Sequence, residues 1–174
     1  EKEKNIKESI NCFENILKIN PKGFRAPQHS IDNSTLRILK EYSFKYDSSK
    51  TPLNFLQFLF FPKKIKLNLQ NFFSRSKKHK IGNLIEIPPT SFFLPFVSII
   101  PRVLPKSIQR LYFFILSLFF KEIIFYAHSW DFIKLEDSKI DKRFSHLRFI
   151  NNFEFMVKLM KARKYKFVKM GELI

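Results

Sequence analysis

The chain's 174 residues are one domain's worth of polypeptide, long enough to bury a core, and 45% of them are hydrophobic, as in a globular protein. A formal charge of +17, from 32 basic and 15 acidic residues, invites a nucleic-acid partner. Lys outnumbers Arg 24 to 8, however, where base and phosphate recognition favours the Arg fork; with only Arg75–Lys80 densely basic, a nucleic-acid reader is disfavoured against weak attraction to anionic surfaces or glycans. The single cysteine, Cys12, excludes an internal disulfide framework or a four-cysteine zinc site. Only three glycines are present, so turns of positive φ are expected to be few or to use Asn and Asp.

In chain order, Ile6, Ile10, Phe13, Ile16 and Leu17 recur at helical spacing and predict an amphipathic helix over 1–18. Asn20–Gly23 is a stop, Phe24–Pro27 a short strand end, and Ser30 or Asp32 the cap of a helix over Asn33–Tyr42. Phe44–Asp47 alternates as a strand does. Residues 50–83 read as an irregular insertion, with room for a hairpin. Leu84–Ile87 is a strand stopped by Pro88-Pro89. Residues 91–120 form an apolar segment whose Ser107–Phe120 part predicts a helix packed on the sheet. An interfacial membrane helix is the second reading, kept open by Lys64, Arg102, Lys106 and Arg110. Neither apolar run there reaches the ~20 residues that span a bilayer. Glu122–Ala127 is expected to be a buried strand ending at His128, Asn151–Lys164 a helix, and Tyr165–Met170 a final strand. Alternating strands and helices imply an α/β fold with parallel strands.

Two runs put ionisable residues just after strand-like segments, where α/β folds hold their chemistry: Lys22–Ile31 and Phe125–Asp131. Arg25 precedes the stiff Pro27 and can hold a carboxylate in bidentate geometry; on spacing alone a surface arginine reads equally well. His128 at a sheet rim can act as general acid or base, or be a satisfied structural histidine. Trp130 can wall a sugar-sized pocket. Asp131 can orient His128 or cap a turn. Glu86, alone among apolar neighbours, faces either a site or water on an edge strand. His29, His79 and His146 have no metal-ligand spacing, although His29 is near enough to Pro27 to line the same cleft. No phosphate loop, Ser-centred elbow or Cys-His pair is present.

The ordered runs Gly23–Pro27 with Ser30, Leu39–Ser49, Ile85–Ser91, Phe125–Asp131 and Arg143–His146 resemble the polysaccharide deacetylase family, metal-dependent carbohydrate esterases related to chitooligosaccharide deacetylases, and among them the branch associated with exopolysaccharide biosynthesis. The likeness spans nearly the whole chain outside 50–83. It implies one domain over 1–174, the C-terminal part of a distorted (β/α) barrel. It also implies removal of N-acetyl groups from an N-acetylated amino-sugar polysaccharide.

The family's divalent metal, usually zinc, is bound through an Asp-Asp and a His-x-x-x-His motif that precede the Arg-x-Pro run. Neither lies in the 24 residues before Arg25, so this chain is expected to hold no metal ligand, to be an N-terminally truncated piece, and to be inactive alone. By resemblance, Arg25 is the arginine that holds the catalytic Asp, His128 the acid that protonates the departing amine, and Trp130 a pocket wall; Pro27, Asp131 and Glu86 join it as substrate-binding candidates. Ala127 replaces the usual larger apolar residue, and Ser129-Trp130-Asp131 replaces Pro-Trp-Glu, which loosens the loop and shortens a carboxylate. A non-catalytic glycan-binding module and a basic peripheral membrane or nucleic-acid binder are the alternatives. The expected compartment is cytoplasmic or membrane-peripheral.

Overall fold

The computed structural model describes residues 1–60, 62–134 and 144–174. It is a mixed α/β fold, about 53% helix and 10% strand, so packing is carried mainly by helices around a small sheet. The chain forms two compact units, residues 1–88 with 168–174, and residues 89–167.

In the first unit α1 (Lys2–Leu17) leads into β1 (Gly23–Phe24), α2 (Asn33–Glu41), β2 (Tyr46–Asp47), the short helices α3 (Leu56–Phe60) and α4 (Ile65–Phe72), and the hairpin of β3 (His79–Ile81) and β4 (Leu84–Glu86). The sheet order is β1-β2-β4-β3, with β1, β2 and β4 parallel and β3 antiparallel at the edge. Gly82 at φ 68° makes the hairpin turn. Gly23 is needed for a different reason: opposite Tyr46 in the register, it would place a Cβ 2.0 Å from the Tyr46 ring. Asp32 caps α2, its Oδ1 accepting from the Thr35 backbone N–H at 2.9 Å, a contact worth about 1 kcal/mol. Ile6, Ile10, Ile31, Leu36, Leu39, Phe44 and Leu84 form the core.

The first helix forms where its periodicity places it, but only Ile6 and Ile10 are buried; Phe13, Ile16 and Leu17 face solvent. Residues 50–83, expected to be irregular, hold α3, α4 and the first strand of the hairpin.

In the second unit a small hairpin, β5 (Ser91–Phe92) and β6 (Leu94–Pro95), precedes α5 (Ile99–Val103), α6 (Lys106–Phe119) and α7 (Leu147–Ala162). The expected helix is present as α6, but it packs on helices. Tyr112, Phe113 and Leu116 are buried with Phe96, Ile100, Met156 and Met160, because its inward stripe meets the matching stripe of α7.

Two predicted strands are corrected. Glu122–Ala127 is extended and half-buried, with Glu122 exposed. Its bonds go to Thr90, which exchanges both backbone and hydroxyl contacts with Ile124, and to the single Val97–Tyr126 bridge. Tyr165–Met170 forms no strand. Tyr165 instead packs edge-on against Phe113 at 5.5 Å, and residues 166–169 are exposed, since alternation supplies a face but no pairing partner. The glycine-poor chain also departs from expectation at its turns: among the described non-glycine residues positive φ falls on Lys18, Gln28, His29, Ser43, Leu53, Phe93, His146 and Lys164, none of them Asn or Asp.

Candidate functional site

Strands β1, β2 and β4 run parallel, so the segments leaving them emerge at one end of the sheet, where open α/β folds place ligands. Those segments are Arg25–Pro27, Ser48–Ser49 and Ile87. They are bonded to one another. Arg25 donates from Nε to the Ser48 carbonyl at 2.8 Å and from Nη2 to Ser48 Oγ at 2.6 Å. Ser48 Oγ in turn donates to the Ile87 carbonyl at 2.6 Å. Ser49 Oγ accepts from the Ala26 N–H at 2.8 Å and donates to Asp47 Oδ1 at 2.6 Å.

The turn that follows Arg25 is strained. Gln28 and His29 both adopt left-handed φ, 53° and 55°, at a cost of about 1 kcal/mol each for residues with a Cβ. It is held from several sides: His29 Nδ1 lies 3.0 Å from the Ser49 carbonyl, Asn71 Nδ2 donates to the His29 carbonyl at 3.0 Å, and Lys64 Nζ reaches Gln28 Oε1 and Ser30 Oγ at 2.9 and 2.8 Å. Pro27 remains exposed at the tip.

Beneath this turn sits a pair of carboxyl groups. Asp47 and Glu86 are register partners on neighbouring parallel strands, which aims them to one face, and both are fully buried. Burial, the Asp47 charge and a hydrogen bond to Asp47 push the Glu86 carboxyl up to about 9. Burial also raises Asp47, against hydrogen bonds from Glu86 and Ser49 that favour its ionised form. Burial and the neighbouring carboxyl thus favour the protonated form of Glu86 at neutral pH. Glu86 Oε1 accepts from the Lys50 N–H at 3.1 Å. Its Oε2 is buried with no hydrogen-bond partner. Glu86 thus faces the interior of the sheet's strand-end network and not water.

In the second unit the turn Ser129–Phe132 follows His128. The His128 and Trp130 rings stack at 4.2 Å with planes 8° apart, and Tyr126 meets His128 edge-on at 5.8 Å. His128 and Trp130 are exposed. Asp131 is wholly buried: its Oδ2 accepts the His128 backbone N–H at 2.8 Å, and Arg102 Nη1 lies 3.4 Å from its Oδ1. Of the two roles read for Asp131, the geometry displays the cap. It fixes His128 through the main chain and sets the ring pair at the surface.

Arg25, Pro27 and Glu86 thus gather at the strand ends of the first unit, and His128, Trp130 and Asp131 in one turn of the second. Glu86 and Asp131 are shut away from solvent and hold loop backbone. Asp47, Ser48 and Ser49 were missed as site residues. Their signal was the Tyr46–Ser49 run itself, a carboxylate and two hydroxyls ending a strand. Arg143, the first residue of the last resembling run, lies outside the described residues. Among the described residues no three His, Cys, Asp or Glu side chains are grouped to hold a metal ion. Set against known proteins, the chain matches no family model, no curated sequence and no solved structure.

Proposed function

We propose that this chain supplies the arginine and histidine portions of a hydrolase that removes N-acetyl groups from an amino-sugar glycan, within the barrel architecture of the polysaccharide deacetylases. One observation carries the reading: three of the resembling runs, Gly23–Pro27, Leu39–Ser49 and Ile85–Ser91, interlock through Arg25, Ala26, Ser48, Ser49 and Ile87 by side-chain hydrogen bonds at the ends of adjacent parallel strands.

On this reading Arg25 presents a guanidinium aligned by Ser48 to a carboxylate. Protonated His128 gives its proton to the amine nitrogen as the amide C–N bond breaks, and water's oxygen ends on the acetyl carbon as acetate. Trp130 offers the sugar ring an apolar face. The metal ligands that the family uses would come from residues other than those described.

The test is acetate release from N-acetylglucosamine oligomers, with zinc, by a version carrying an Asp-Asp and His-x-x-x-His segment ahead of Glu1. His128→Ala should lower the rate at least ~100-fold; an unchanged rate removes His128 from the mechanism. The exposed His128–Trp130 stack favours a second reading, glycan binding without hydrolysis. Calorimetric binding of the same oligomers that is lost in Trp130→Ala and retained in His128→Ala, with no acetate released, would select it.

A further inference from the structure

The apolar outer face of α6 is unexplained by either reading. Its inward stripe fills the core of the second unit, yet Ile108, Leu111, Phe114, Leu118 and Phe119 all point outward, with Leu111 57% and Leu118 63% exposed. Five large apolar side chains along one helix mark an interaction surface. The charge around them is one-sided. Residues 87–121 contain no Asp or Glu, and they include Arg102, Lys106, Arg110 and Lys121.

Lys106 and Arg110 both lie over the Phe155 ring of α7, at 5.6 and 5.7 Å, and Arg163 lies 5.1 Å from the Phe114 ring and bonds Ser117 Oγ at 3.0 Å. Three cations therefore border the stripe along its α7 side. Of the other charges once considered for this edge, Arg102 faces inward to Asp131, and Lys64 belongs to the first unit and bonds Gln28 and Ser30. The described residues of the second unit carry 11 basic and three acidic side chains. Of the acids, Asp131 is buried and Glu154 is paired with Lys158 at 2.6 Å.

We propose that α6 is a membrane-surface helix, lying in the interface of an anionic lipid bilayer with Leu111 and Leu118 among the acyl chains and Lys106, Arg110 and Arg163 at the headgroups. The helix is 14 residues long, about 21 Å at 1.5 Å per residue, too short to cross the ~30 Å hydrocarbon core. No described helix is long and apolar enough to cross a membrane. Apolar on one face and bordered by basic groups, α6 has the character of an interfacial helix. A second copy suits the face less well: a symmetric contact would press the Lys106–Arg110–Arg163 edge against its own like charges. This inference is independent of the glycan chemistry.

The experiment is flotation of the 174-residue chain with vesicles of phosphatidylcholine containing phosphatidylglycerol, and with phosphatidylcholine alone. The chain should float with the anionic vesicles only. Lys106→Gln with Arg110→Gln should weaken binding about fivefold per charge removed, and Leu111→Glu with Leu118→Glu by at least ~10-fold, with the helical circular dichroism of both variants unchanged. A second readout needs no loss of binding: an environment-sensitive dye on Leu111→Cys, in a Cys12→Ser background, should shift to the blue on adding anionic vesicles. Failure of the wild-type chain to float, an unshifted dye, or equal binding by the glutamate variant overturns the proposal. So does a dimer in sedimentation that the glutamate variant disperses while vesicles capture nothing.

Discussion

The two candidate turns are built on opposite plans. The one after β1 is bonded to the ends of two other strands through Arg25, Ser48 and Ser49, and to α4 through Asn71, so no single contact defines it. The one at 128–132 is anchored by one buried carboxylate, Asp131, beside the Arg102 guanidinium, and by Phe132 packed edge-on against Phe149 and Phe153. Distributed support suits a group that must stay put, as an aligned arginine must. The turn at 128–132 instead carries His128 and Trp130 exposed at the surface above a buried ion pair. The contrast predicts unequal responses to losing one contact.

Arg102→Ala should have the largest effect. It strands the Asp131 carboxylate in the interior, and removing one partner of a buried pair costs about 3 kcal/mol. Chemical denaturation should register that loss, and the fluorescence of Trp130, the only tryptophan, should show its stack with His128 loosening. A loss below about 1 kcal/mol would mean that the turn is braced by more than its ion pair.

Ser49→Ala should come next, at about 2 kcal/mol, because it leaves the buried Ala26 N–H without its acceptor and takes one donor from Asp47. Arg25 would keep both bonds to Ser48, so its position should hold. A larger penalty than that of Arg102→Ala would reverse the comparison and make Ser49 the keystone of the first turn.

How much of this was legible in the sequence follows from where each stabilising contact lies along the chain. Helices α1, α2, α6 and α7 came from local periodicity and capping, and Asp32 acts as the cap its position implied. Strand β4 was readable because Pro88-Pro89 ends it. Tyr165–Met170 was misread because a strand needs a distant partner that a local pattern cannot reveal. Glu86 stood out as a lone acid among apolar residues, but its orientation depends on Asp47, 39 positions away and paired to it only through sheet register. The same limit hid Ser48 and Ser49. The outward face of α6 was half visible: its apolar content suggested either a core or a membrane helix, and the fold gives it one buried and one exposed apolar stripe.

Near the ordinary glutamate pKa the smallest expected effect is that of Glu86→Gln, and its growth with pH is the sharpest probe of the first region. Glu86 is held protonated to about 9 when folded, against roughly 4.3 for a free glutamate, so between those values the native state binds more protons than the unfolded one. Stability must then be greatest below the unfolded value and fall as pH rises through the folded one, with a slope of up to about 1.4 kcal/mol per pH unit. Glutamine carries the neutral shape, so the variant should match the wild type near pH 4 and exceed it at pH 9. Denaturation midpoints across that range check both ends. Parallel wild-type and variant curves would mean that the proton is not held on Glu86, and that Asp47 and Glu86 are kept apart by the sheet without sharing one.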